Sequence, residues 1–94
     1  MDHRPSLDLL ESTHSFPGVY QIKAIGSVEE EFEARVVEAV ATQLAGRSEI
    51  DYSVRLTPQG RHVSITLDIT VQNAQQIRDI YALLGELKGI RMLL

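Results

Sequence analysis

The sequence predicts an α+β sandwich: four antiparallel strands covered on one face by two helices. Three observations predict it. Val63, Ile65, Leu67, Ile69 and Val71 alternate without a break against Ser64, Thr66, Asp68 and Thr70, the period of two that marks a strand with one oily and one polar face. Two other stretches, opening at Ser27 and at Asn73, space their apolar residues three and four apart, as helices with one buried stripe do. The elements run strand-helix-strand-strand-helix-strand, and a two-layer arrangement buries every apolar face at once.

Met1 to Gly18 reads as a partly ordered leader, punctuated by Pro5, Ser6, Ser12, Thr13, Ser15, Pro17 and Gly18. Within it, Leu7-Asp8-Leu9-Leu10-Glu11 is expected to form a helical turn whose leucines cover a core edge. Residues 19–94 then form a single domain. Val19 to Ile25 is the first strand, with Tyr20, Ile22 and Ala24 on one face and Gln21, Lys23 and Ile25 on the other. Ser27 is expected to cap the first helix, with Glu30 completing a capping box. Val28, Phe32, Val36, Ala39, Val40 and Leu44 form its stripe, and Gly46 its stop. Asp51 to Thr57 is the second strand, setting Tyr52, Val54 and Leu56 against Ser53, Arg55 and Thr57. Pro58-Gln59-Gly60 makes the tight turn into the long third strand. Asn73 caps the second helix, which runs to about Leu87 with Ala74, Ile77, Ile80, Tyr81, Leu84 and Leu87 inward. Ile90 to Leu94 is a short last strand, with Ile90, Met92 and Leu94 on one face and Arg91 and Leu93 on the other.

Right-handed crossovers leave one simple topology for this order, the ferredoxin-like β-α-β-β-α-β sandwich with strand order 4-1-3-2. The long third strand is then interior, and the back of the sheet is open.

Composition bounds the function. The 94-residue chain has 13 acidic and nine basic residues, a net charge of −4, so no overall field draws it to nucleic acid or anionic lipid. It has no cysteine, which excludes disulfides, a thiol nucleophile and Cys-based zinc sites. No apolar run approaches the ~20 residues that span a bilayer, and the N-terminus does not read as a signal peptide. A cytoplasmic protein is the expectation.

Leu9-Leu10-Glu11 before Phe16-Pro17, Tyr20-x-x-Lys23 with Ile25-Gly26, Gly60 leading into Val63-Ser64-Ile65-Thr66, Ile80-Tyr81-x-x-Leu84, and the final Arg91-Met92-Leu93-Leu94 together resemble the YbeD-like family. These are small bacterial proteins classed as a domain of unknown function. The resemblance covers Leu7 to Leu94. It implies the same ferredoxin-like fold and a likeness to ACT-type regulatory domains, which bind small effectors and associate side by side. The turn at Gly60 is short for that family and lacks an aromatic soon after the glycine.

Catalytic chemistry finds no support. His3, His14 and His62 are scattered, with no carboxylate placed by sequence to orient them and no serine in a nucleophile motif. Glu29, Glu30 and Glu31 at the first helix start repel the anion that acylphosphatase-like chemistry requires there. No enzyme, metal or cofactor is expected. The second helix opens instead with Asn73, Gln75 and Gln76, free of acids before Asp79, and is the better place for a small anionic ligand. The open sheet face collects Lys23, Arg55, Ser64, Thr66, Asp68 and Arg91, with a Lys23–Asp68 contact expected. Its central strands carry no ring for base stacking, so a nucleic-acid-binding module is the alternative rather than the leading reading. The leading reading is a non-enzymatic regulatory or interaction module. It takes a small effector or a protein partner, with a possible homodimer through the exposed last strand.

Overall fold

Strands β1 (Gly18–Ser27) and β3 (His62–Val71) form the centre of the sheet in the computed structural model, which describes residues 5–28, 31–44 and 50–94. They pair antiparallel from Gly18 opposite Val71 to Ser27 opposite His62. This register sets Ile22 against Leu67 and Ala24 against Ile65, all buried. A slip of one residue would turn the whole oily face of β3 to water, so the pattern itself fixes the pairing. β2 (Ile50–Leu56) joins the far side of β3, and β4 (Ile90–Leu93) the far side of β1. The resulting order, β2-β3-β1-β4, has the neighbours that the strand pattern predicts. The β2–β3 hairpin closes where the Thr57 N–H donates to the His62 carbonyl (2.9 Å) and the Gly60 N–H to the Thr57 carbonyl (2.8 Å), with Gly60 at φ 69°.

Helices α2 (Phe32–Thr42) and α3 (Ala74–Gly85) cover one face. Phe32, Val36, Val37 and Val40 from α2 meet Ala74, Ile77, Ile80, Tyr81 and Leu84 from α3 over the buried row of β3. The described residues contain three helices where the periodicity predicts two. The leucine-rich turn of the leader is the helix α1 (Leu7–Thr13). Ser6 Oγ accepts from the Leu9 N–H (3.1 Å), Leu10 enters the core, and Arg78 Nε of α3 donates to the Pro5 carbonyl (3.0 Å).

Two local expectations are corrected. Ser27 does not start α2; it ends β1, its N–H donating to the Gly89 carbonyl (3.0 Å). The first helical residue is Phe32, and the N-cap is Glu31, held left-handed at φ 54° without a side-chain cap. Glu30, the other half of the expected capping box, and Gly46, the expected stop, lie outside the described residues, as does His3. The last strand also presents the opposite faces. Leu93 is buried in the core opposite Ala24, while Met92 sits opposite Ile25 on the open face. The cause is a register shift between Ile25 and Gly26, which pairs Gly26 with Ile90 and leaves Arg91 without an opposite residue.

That irregularity lies where three elements converge. Gly26 has no side chain, and the Phe32 ring occupies the space one would take. A Cβ there would come within 2.7 Å of Phe32 Cε2 and 2.6 Å of the Gly89 carbonyl oxygen. Gly89 itself holds φ 94° to turn from α3 into β4.

Two substitutions test this account by chemical denaturation. Gly26→Ala should destabilise by about 1–3 kcal/mol, the range for overpacking a filled core. Leu10→Ala should cost about 2–5 kcal/mol, as a buried core leucine does; a loss near zero would show that α1 is only an appendage.

Candidate functional site

On the helical side of the sheet the layer stops short of β2. Tyr52, Val54 and Leu56 face the same way as the buried residues Leu67, Ile65 and Val63 opposite them, yet they remain 46%, 41% and 61% exposed, beside Val28 at 43%. Val28, Phe32, Val54, Leu56 and Val63 line a cleft of about 380 Å³ between the end of β1, the start of α2 and β2. Glu31 and Glu33 complete its lining, and the Tyr52 hydroxyl reaches Glu33 Oε2 at 3.4 Å. An apolar floor with two carboxylates suits an apolar group carrying a positive charge. Sequence periodicity assigned Tyr52, Val54 and Leu56 to the core. Alternation alone does not show that they exceed it; the one sequence signal is that β2 is an edge strand, where two-helix cover is thinnest.

The open face carries most of the polar residues expected there, in a different arrangement. Asp68 accepts from Gln21 Nε2 (3.0 Å), its cross-strand neighbour, in place of the expected Lys23. Lys23 lies opposite Thr66, and Arg55 opposite Ser64 on the other side of β3. Arg91 is exposed at the β4 irregularity. Towards β4 the face becomes apolar, with half-buried Ile25 beside exposed Met92 and Leu94. The expected residues therefore share a sheet without forming one cluster.

Asn73, Gln75 and Gln76 do gather at the start of α3, where they serve the helix. Asn73 Oδ1 accepts from the Gln76 N–H (2.9 Å), and Gln76 Oε1 accepts from the Gln72 N–H (2.8 Å). Gln76 Nε2 donates to the Gln43 carbonyl (2.7 Å), tying α3 to the end of α2, and Gln75 Nε2 donates to Asp79 Oδ1 (2.8 Å).

A second aromatic group lies between β1, α3 and the leader. The Tyr20 and Tyr81 hydroxyls are 3.5 Å apart, and Tyr81 donates to the main-chain oxygen of Leu94 (3.2 Å). His14 sets its edge against Tyr20, with centroids 5.0 Å apart. Burial first, and then the hydrogen bond and charge of Tyr20, hold the Tyr81 phenol above the ordinary tyrosine value. Among the described residues no group of three His, Asp or Glu side chains is placed to hold a metal. No helix among them is long and apolar enough to cross a membrane.

Comparison with known proteins agrees with the sequence resemblance. The family model described as "Protein of unknown function (DUF493)" matches residues 11–94. This chain belongs to that family. A UPF0250 protein of Shewanella piezotolerans is 31% identical over 81 residues, covering 84% of this chain and 88% of the relative. UPF0250 proteins of Vibrio vulnificus and Vibrio cholerae are 32% and 33% identical over 89 residues, covering 93% of this chain and 88% of each relative. These small bacterial proteins are the YbeD-like group, and the family's description assigns them no activity.

The tyrosine pair yields a pH signature. Below the ordinary tyrosine value of 10.0 the phenol is protonated in both folded and unfolded chains. Above it the unfolded chain loses the proton while buried Tyr81 keeps it, so stability falls as pH rises. Urea unfolding between pH 9 and 11 should show this decline in the parent protein. It should be smaller in Tyr81→Phe, which also loses about 1 kcal/mol at neutral pH with its hydrogen bonds.

Proposed function

We propose that this protein is a non-enzymatic regulatory or interaction module of the cytoplasm, a ferredoxin-like sandwich used in the manner of ACT-type domains. The observation that carries the reading is the apolar cleft beside β2, where Val28, Val54 and Leu56 stay exposed on the covered side of the sheet. Exposed apolar surface with a charged rim is typical of binding sites. The ligand it favours is an apolar body with a cationic group: an amino acid with an oily side chain, or an apolar-basic segment of a protein. The open face, with Lys23, Arg55, Ser64, Thr66, Asp68 and Arg91, is the second surface offered to a protein partner. Asn73, Gln75 and Gln76 would meet a ligand only by giving up their bonds within the chain. A nucleic-acid-binding module on the open face is the weaker reading, since the positions of β1 and β3 on that face present no Phe, Tyr or Trp ring, only His62 at the end of β3.

A thermal-shift screen with apolar amino acids and amines, run beside a native pull-down read by mass spectrometry, tests the proposal. A ligand at 100 times its Kd should stabilise the fold by about 2.7 kcal/mol, and Val54→Asp should abolish that shift. No stabilising ligand and no specific partner would sink it, as would a salt-sensitive mobility shift with RNA in their place.

A further inference from the structure

We infer that two copies of this chain pair through β2, strand to strand and antiparallel, about a two-fold axis at Ser53. The inference goes beyond the proposed function, because a dimer with an empty cleft and a ligand-binding monomer are distinct outcomes.

The hydrogen-bonding direction of β2 follows from the far side of the sheet. Lys23 and Leu94 exchange both backbone bonds, at 3.0 and 2.9 Å, so the peptide groups of Lys23 point towards β4. Alternation along an antiparallel strand then points Ile22 and Ala24 at β3, with Leu67 and Ile65 answering them. Thr66, Ser64 and Asp68 must point the other way, to Ser53, Arg55 and Asp51 of β2. The Thr57 N–H bond to the His62 carbonyl continues the same series. The N–H and C=O groups of Tyr52, Val54 and Leu56 are therefore aimed out of the sheet edge.

An antiparallel second copy uses these outward groups when the axis falls at Tyr52, Ser53 or Val54. Centred on Ser53, Tyr52 bonds to Val54 of the second copy and Ile50 to its Leu56. Asp51 then lies directly opposite Arg55 of the second copy, and Arg55 opposite its Asp51. Both fall in the narrow, non-hydrogen-bonded pairs, where side chains approach closest. An axis one residue to either side sets Asp51 against Ser53 or Thr57 and loses the match. Opposite charges facing across strands stabilise a pair, and like charges destabilise it. Within one copy Asp51 faces Asp68 across the ladder. Among the described residues neither Asp51 nor Arg55 has a side-chain partner. The second copy supplies a cation to Asp51. On the opposite face, the exposed row of Tyr52, Val54 and Leu56 continues across the seam.

The other edge fits less well. β4 is four residues long and breaks register at Gly26, whereas β2 keeps one register from Ile50 opposite Ile69 to Leu56 opposite Val63. Bulged, short edges resist pairing, while a straight edge invites it.

Sedimentation equilibrium of the full chain tests the inference. The expected species is a dimer of twice the 10.5 kDa chain mass. Asp51→Arg and Arg55→Glu should each weaken dimerisation at least about ten-fold by setting like charges opposite at both ends of the seam. Combining the two should restore it, and Met92→Lys on β4 should leave it unchanged. These are exposed positions, and circular dichroism melts establish that each variant folds. A monomer at the highest soluble concentration overturns the inference. So does a double variant no better than its parents, or dissociation caused by Met92→Lys instead.

Discussion

The β1–β3 ladder is the constraint on which the other elements depend. Its ten paired positions, from Gly18 opposite Val71 to Ser27 opposite His62, commit one parity of each strand to the core. Ile22 and Ala24 on β1 and the Val63–Val71 row on β3 then form a single apolar floor. The hydrophobic effect holds the helices to that floor, at roughly 25 cal/mol per Å² removed from water. The ladder also decides where β1 ends. It carries β1 through Ser27, where the Gly89 carbonyl takes the N–H, so α2 waits until Phe32 and turns through a left-handed Glu31.

This competition separates what was legible in the residues from what was not. Strand order, the hairpin, the Asn73 cap and the stripe of α3 follow from periodicity and turn chemistry, and those forces act within a few residues. Ser27 misleads because its capping pattern is local while its bond to Gly89 is long-range. Met92 and Leu93 mislead for a related reason. Strict alternation holds only in an unbroken ladder, and the shift at Gly26 inserts one residue, which exchanges the faces of everything beyond it. Nothing local to β4 marks that shift, which falls at Gly26, where the Phe32 ring fills the space a side chain would take.

The candidate site was less legible than the fold, because it is defined by a shortage of cover rather than by a motif. Tyr52, Val54 and Leu56 have the composition of core residues, and two of their three opposite neighbours on β3 are fully enclosed. α2 starts at Phe32, against Gly26, at the β1 end of the cleft. From there α2 approaches both β1 and β2, and Glu33 reaches Tyr52 across the mouth of the cleft. Phe32 thus lines the cleft and also fills the space beside Gly26, where the β1–β4 register shifts.

Both edges of the sheet trace back to these arrangements, with opposite consequences. At the β4 edge the bulge breaks the ladder, and Leu94 is engaged by Lys23 and Tyr81, so the outermost strand is short and held within the molecule. At the β2 edge the hairpin through Gly60 delivers a straight strand whose register assigns every residue two properties together. Even-numbered positions carry the apolar side chains and aim their peptide groups outward. Odd-numbered positions carry Asp51, Ser53 and Arg55 on the open face and spend their peptide groups on β3. The apolar row and the free backbone groups are therefore the same residues, and the complementary charges flank a common centre at Ser53. A strand that only needed to end a sheet would gain nothing from that coincidence, and its like-charged contact between Asp51 and Asp68 would remain a cost. A strand that meets its own copy turns each of these features into part of one interface.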